Sequence, residues 1–216
     1  MRLSDQILMA NEKVLQEMLT HRFVGDIKGD CLPAAVFHRY LAYEGAFVET
    51  AISIFSYATA RAPDIASQRW LIGVLEALAN TQIPYFEAAF VRLGTSPTSD
   101  VPEAVSDFDR GMLQLSRDGT FIDTVTAMFT AEWMYWTWCD AASTCQITDP
   151  NLKEWVDLHA TPEFEAQANW LKDAIDTFGE TSDVDRLSAI FHSVIQLEIA
   201  FHSAAYDGEC SQGYDL

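Results

Sequence analysis

The sequence predicts an all-α protein: a multi-helix bundle forming a single domain over residues 1–216. Three observations carry that expectation. Apolar residues recur at three- and four-residue spacing through most of the chain, the period of a helix with one buried face. No segment alternates apolar and polar residues with β-branched enrichment, so strands have no support. The breaks between periodic stretches are short and rich in Gly, Pro, Ser, Thr and Asp, too short to separate domains. With 49% hydrophobic residues, among them 13 Phe, 7 Tyr and 6 Trp, a chain of 216 residues can bury one sizeable core.

Seven to nine helices are expected. Ile7, Leu8, Val14, Leu15, Met18 and Leu19 set a helical pattern over Ser4–Phe23, which GDIKGDCLP ends. Pro33 suits the first turn of the next helix, a long aromatic one over Ala34–Ala60. The third pattern, Ile65–Leu93, contains Pro84, which predicts a kink or a helix–turn–helix near Thr81–Pro84. LGTSPTSDVP reads as a loop. Helices over Pro102–Leu115 and Phe121–Ala142 follow, separated by SRDGT. Asp149 and Pro150 open Asn151–Leu158, and Thr161-Pro162-Glu163 has the cap, proline and early acid of a helix start running to Phe178. After GETSD, Val184–Tyr206 closes the fold.

Composition excludes several functions. Thirty-two acidic against 13 basic residues give a formal charge of −19, with no basic cluster, so nucleic acid and anionic membranes are not expected partners. No apolar run reaches the length of about 18 residues that a membrane span needs. Glu12, Lys13 and Glu17 interrupt what would have to be a signal core, so the N-terminal stretch is expected to be a helix of the folded protein. Cysteines 31, 139, 145 and 210 form no CxxC pair or framework. Free thiols and a cytoplasmic location are expected.

Three glutamates stand out because they fall in the middle of apolar stripes, where an ionised carboxylate is costly. Glu44 lies among Phe37, Tyr40, Leu41, Phe47 and Val48; a boundary residue reaching solvent is the plainer reading. Glu132 lies among Val125, Met128, Phe129, Tyr135 and Trp136, on a helix whose aromatic residues face nearly every side, which predicts a central position. Glu198 lies among Phe191, Val194, Ile195 and Phe201, with His202 one turn on, so a structural Glu–His contact is the competing reading. If the three converge, burial and like-charge repulsion raise at least one pKa and leave a group that can carry a proton near neutrality. Such carboxyls are raw material for general acid–base catalysis. A dinuclear metal bundle would need Glu-x-x-His motifs, which the chain lacks, and its five histidines lack zinc-site spacing; no metal or cofactor is expected. An aromatic-walled pocket holding acids suits a flat heterocycle bearing an exocyclic amine.

These residues resemble the TenA/thiaminase II family, whose relatives include the pyrroloquinoline quinone synthase PqqC. The resemblance runs over nearly the whole chain: Gly29 and Leu32-Pro33 leading into Phe37, Tyr40-Leu41 and Glu44; Leu93-Gly94; Ala127 with Trp133 and Tyr135; Trp155; Pro162-Glu163-Phe164; and Glu198, Phe201 and Ala205-Tyr206. It implies the haem-oxygenase-like helical fold and a homodimer or homotetramer. It also implies a pocket for an aminopyrimidine, with Glu44 gripping the ring's amino group and nitrogen, where an Asp is usual. Glu198 matches the family's general acid/base, and Tyr135 its tyrosine four positions after the nucleophilic cysteine. Tyr40, Phe47 and Phe108 complete the expected substrate-binding set, the two phenylalanines standing where tyrosines are common, and His159 stands where another pocket tyrosine is expected. The cysteine position itself holds Ala131, and Cys139 is over two turns away. Glu132 adjoins that gap, which resembles the branch of the family that uses a glutamate instead.

The resemblance therefore implies a hydrolase that releases amine from a thiamin-derived aminomethylpyrimidine. Glu132 or Glu198 would activate water, the other would protonate the leaving amine, and His159, which titrates near neutrality, would relay protons. Two other readings fit the same residues: a non-catalytic binding or regulatory homologue, and a PqqC-like or metal-dependent enzyme with a different small substrate.

Overall fold

The computed structural model describes residues 1–97 and 101–207. Every regular element among them is helical. The expected first helix is instead three: α1 (Leu3–Ala10), α2 (Glu12–Leu19) and α3 (Arg22–Lys28). Asn11 makes the first break. Its buried side-chain amide donates to the Ile7 carbonyl at 3.0 Å and to Ser188 across the bundle at 3.2 Å. At the second break the His21 ring accepts the Phe23 N–H. Apolar spacing continues across both interruptions, so periodicity alone runs the pieces together.

α4 (Ala34–Arg61) is the longest element and begins directly after Pro33. α5 (Ile65–Ala77) starts on an Asp64 cap, whose carboxylate accepts the Ser67 N–H at 2.7 Å. The break expected near Pro84 is a π-helical turn over Leu78–Gln82, after which α6 (Ile83–Leu93) carries Pro84 in its first turn. A proline lacks the N–H that an α-helical turn would use, and the wider turn absorbs the mismatch without ending the helix. Gly94, at φ +64°, closes α6 in the left-handed conformation that suits glycine. α7 (Glu103–Asp118), α8 (Phe121–Ser143), α9 (Pro150–Leu158), α10 (Pro162–Phe178) and α11 (Val184–Ala204) follow. Thr120 and Asp123 cap α8 reciprocally, and Thr161 caps α10 by accepting the Phe164 N–H.

The described residues thus hold eleven α-helices, more than expected, chiefly because the first and third patterns divide. α8 runs through the middle, packed by α4, α7, α9, α10 and α11, which is where its all-round apolar surface belongs. Gly45 lets α6 lie close on α4: a Cβ there would come 2.5 Å from Phe90 Cζ and 2.9 Å from Phe86 Cδ1. Cys31, Cys139 and Cys145 are free, while Cys210 lies outside the described residues. No described helix is long and apolar enough to cross a membrane.

Candidate functional site

Between α4, α8 and α11, closed on one side by α5, the π turn and α6 and on the other by the start of α10, lies a cavity of about 390 Å³. Glu44, Glu132 and Glu198, contributed by three helices, all line it, together with His159 just beyond α9. Phe47, Phe108 and Tyr135 line it too. Phe47 and Phe108 pack at 4.7 Å between ring centroids, and Phe108 meets Phe201 at 4.9 Å, making one aromatic wall. Tyr40 is the exception among the expected substrate-binding residues. It is fully buried one layer back, enclosed by Phe23, Trp155, Phe201 and His202, and reaches the cavity only through its hydroxyl contact with Tyr135. Its place on the Glu44 stripe is real, but a ring pointing into a helix interface rather than a void has no ligand to touch.

Each acid has a distinct environment. The two oxygens of Glu44 are both engaged: Trp155 Nε1 donates to Oε2 at 2.6 Å, and His159 Nε2 stands 3.4 Å from Oε1. His159 Nδ1 is 2.9 Å from the Trp155 carbonyl oxygen, which can only accept, so Nδ1 carries a proton. A neutral ring would then aim a lone pair at the Glu44 carboxylate; an imidazolium aims an N–H instead. Burial alone would lower the His159 pKa, but the hydrogen bond and charge of Glu44, the Trp155 carbonyl and Glu132 outweigh it, and the net shift is upward.

Glu132 takes a hydrogen bond from Gln167 Nε2 to Oε1 at 2.8 Å, while its buried Oε2 has no protein partner. Burial pushes its pKa up to about 7, against the Gln167 hydrogen bond and His159, which pull it down. Glu198 is wholly buried and neither of its carboxyl oxygens has a hydrogen-bond partner. Burial, then the charges of Glu44 and Glu132, hold its pKa well above the usual carboxyl range, against the nearby Tyr135 hydroxyl, which lies outside ideal hydrogen-bond geometry but pulls it down. His202 bonds through Nδ1 to the Glu198 backbone carbonyl at 2.8 Å, and the same nitrogen stands 3.6 Å from the Glu198 carboxyl Oε2. Burial lowers His202 to about 3, leaving it neutral.

Ala131 also lines the cavity, immediately beside Glu132, and no described cysteine does. Cys139 is fully buried, and burial drives its thiol pKa well up, the reverse of what an attacking thiolate needs. Sequence reasoning missed Gln167, Trp155 as a hydrogen-bond donor, and the wall supplied by the π turn and α6. Gln167 follows the lining residue Phe164 by one turn, a polar residue on an inward face, which is the signal that was available. The Trp155–Glu44 bond joins residues 111 positions apart and leaves no local trace.

The family model described as TENA/THI-4/PQQC matches residues 10–208. An aminopyrimidine aminohydrolase of Halalkalibacterium halodurans is 23% identical over 198 residues, covering 87% of this chain and 88% of that protein. Among solved structures, a TenA homologue from P. horikoshii OT3 superposes with a TM-score of 0.88 at 19% identity, over 96% of this chain and all of that one. A TenA homologue from Pyrococcus furiosus gives 0.86 at 18% identity, over 94% and 100% of the two chains. A TenA family transcription regulator from Silicibacter sp. TM1040 gives 0.86 at 17%, over 95% and 97%. At these identities the structures speak for the fold alone.

Proposed function

Because the chain belongs to the TENA/THI-4/PQQC family, we propose that it is an aminopyrimidine aminohydrolase that works by carboxylate acid–base chemistry without a nucleophilic thiol. The observation that carries this reading is the convergence of Glu132 and Glu198 on one cavity, with three of their four oxygens free of protein hydrogen bonds and with pKa values raised to different degrees. The curated relative's name supports the substrate class.

The roles follow from the environments. Two titratable groups whose surroundings separate their pKa values divide acid from base between them. Glu132, near 7, is ionised often enough to take a proton from water, and Gln167 holds its other oxygen in place. Glu198, held well above the usual range, keeps its proton and gives it to the departing nitrogen. Glu44 retains lone pairs for the pyrimidine's amino group beyond those used by Trp155 and His159. The water oxygen bonds to the exocyclic methylene carbon as the C–N bond breaks; the water proton passes to Glu132, the Glu198 proton leaves with the amine, and the products are a hydroxymethylpyrimidine and the free amine. His159 acts chiefly by orienting Glu44.

The test is amine release from aminomethyl- and formylaminomethyl-pyrimidines by the wild type and by Glu132→Gln and Glu198→Gln. General acid–base catalysis contributes roughly 10²- to 10⁴-fold, so each variant is expected to lose activity on that scale while still binding substrate. Full turnover in both variants would sink the assignment. Tight binding with no release by the wild type would favour the non-catalytic reading, for which Ala131 in the nucleophile's place is the specific support.

A further inference from the structure

The wall that α5, the π turn and α6 lend to the cavity carries a hydroxyl that the proposed chemistry leaves unused. Ala77 and Leu78, Thr81 and Gln82, and Tyr85 and Phe86 line it as pairs four residues apart. At about 3.6 residues per turn, eight residues of α-helix would carry Tyr85 roughly 80° past the line of Ala77. The wider turn at Leu78–Gln82 takes up that rotation and keeps Tyr85 on the cavity side. Gly45 brings this wall close to Glu44. Phe86 lies against Gly45, where an added Cβ would stand 2.9 Å from its ring, and the Tyr85 ring meets Phe86 edge-on at 5.3 Å between centroids. Glu44 and Tyr85 are therefore the chain neighbours of the two residues that make the crossing, and both line the cavity there. Other neutral donors on the lining are already engaged: the Tyr135 hydroxyl meets Tyr40, Gln167 donates to Glu132, and Thr161 donates to the Leu158 carbonyl. Half-buried Tyr85 makes no hydrogen bond to a described residue. Burial, then the charges of Glu44 and Glu154 against that of Arg92, hold its pKa above the ordinary tyrosine range, so it keeps its proton.

We infer that Tyr85 is a specificity-determining residue: its hydroxyl donates to the pyrimidine nitrogen adjacent to the amino-bearing carbon, while Glu44 accepts from the amino group. The inference rests on the aminopyrimidine reading above. The edge of an aminopyrimidine presents an N–H donor beside a neutral ring nitrogen that only accepts. A carboxylate has no hydrogen to give, so Glu44 suits the first of these and not the second. An acceptor beside a donor is the complementary edge, and Glu44 beside Tyr85 supplies it. A ring with carbon in place of that nitrogen would leave the hydroxyl unpaired, which is how a buried donor rejects a near-isostere.

Titration calorimetry on the intact protein tests this with the hydroxymethylpyrimidine product and two isosteres of it. In the first isostere C–H replaces the ring nitrogen next to the amino-bearing carbon; in the second it replaces the other ring nitrogen. The quantity read is the ratio of wild-type to Tyr85→Phe affinity for each ligand, which sets aside differences in basicity among the ligands themselves. Loss of one hydrogen bond between neutral groups predicts roughly three- to tenfold weaker binding of the product and the second isostere by Tyr85→Phe. For the first isostere the ratio should stay within twofold. Removing a hydroxyl that bonds no described residue leaves the fold intact. Equal losses on all three ligands, or no loss on any, overturn the proposal while the aminopyrimidine reading stands. So does a nitrogen-dependent loss that appears in Gln82→Leu in place of Tyr85→Phe. A nitrogen-dependent loss in Tyr85→Phe without amine release by the wild type supports the contact and removes the hydrolytic function. Failure of the wild type to bind any of the three ligands overturns both readings together.

Discussion

His159 and Glu44 form a pair in which the histidine's second nitrogen fixes the role of the first. With Nδ1 committed to the Trp155 carbonyl at 2.9 Å, Nε2 is the nitrogen left to face Glu44, 3.4 Å away, and one proton shared between them satisfies both. The pair stands at the end of the cavity where the resemblance puts the pyrimidine's amino group, Glu44 shifts the His159 pKa upward, and Trp155 clamps the other Glu44 oxygen. A tyrosine at position 159 would offer a neutral hydroxyl; the histidine offers a ring that Glu44 makes easier to protonate.

Removing that donor should loosen the grip on substrate more than it slows the chemistry. A hydrogen bond to a charged group contributes about 1.5–3 kcal/mol, so His159→Phe is expected to raise KM by roughly 10- to 150-fold with a smaller change in kcat. His159→Gln, which keeps an N–H toward Glu44 without the charge, should recover part of the loss. Steady-state kinetics from pH 6 to 9 check this; a fall in kcat at constant KM would instead make His159 a participant in proton transfer.

Two buried groups should shape stability against pH from opposite sides. Glu132 titrates near 7 in the fold against 4.5 for an ordinary glutamate, so the folded state binds the extra proton and stability falls as pH rises through that window, by roughly 3 kcal/mol. Glu198, shifted in the same direction, extends the loss upward. His202 titrates near 3 against 6.5, so the unfolded state binds the extra proton and stability falls as pH drops from 6.5 toward 3, by roughly 5 kcal/mol. The two windows overlap from about pH 4.5 to 6.5, where Glu132 and Glu198 together outweigh His202, so urea unfolding should show its maximum near pH 4.5. Glu132→Gln should flatten the alkaline limb, raising Tm at pH 8 by about 5–10 °C, and His202→Leu should flatten the acid limb. An unchanged alkaline slope in Glu132→Gln would show that Glu132 is not the titrating group.

The hydroxyl contact between Tyr40 and Tyr135 links a buried layer to the cavity wall. Tyr40→Phe removes one of the groups facing the Tyr135 hydroxyl, Glu198 being another, and a weakened buried hydrogen bond costs about 1 kcal/mol. At about 2–4 °C per kcal/mol for a chain of this size, Tm should fall measurably, by calorimetry or circular dichroism. Because the Tyr40 ring does not line the cavity, KM should stay within twofold. A large KM change with unaltered Tm would return Tyr40 to the substrate-binding set.

Much of this protein could be read from residues alone. Face-centred placement singled out Glu44, Glu132 and Glu198, because an acid amid aromatic residues at helical spacing must be buried or paired. The long helices Ala34–Arg61, Phe121–Ser143 and Pro162–Phe178 were legible within a residue or two, since strong periodicity and caps such as Thr161 mark their ends. The family followed from ordered spacing over nearly the whole chain. What periodicity cannot carry is a backbone break that preserves the apolar phase, which is why Asn11 and the π turn at Leu78–Gln82 divide helices that read as one.

By itself, then, the sequence determined the helical class, the family and which carboxyls were out of place, because each of these is written in local spacing and in the cost of burying charge. The tertiary structure decided what those carboxyls do to one another. It set Gln167 on Glu132, left Glu198 bare, clamped Glu44 between Trp155 and His159, and turned Tyr40 away from the cavity. Proton affinity depends on desolvation and on charges a few ångströms away, and the residues that supply them stand 35 and 111 positions apart in the chain, brought together only by packing.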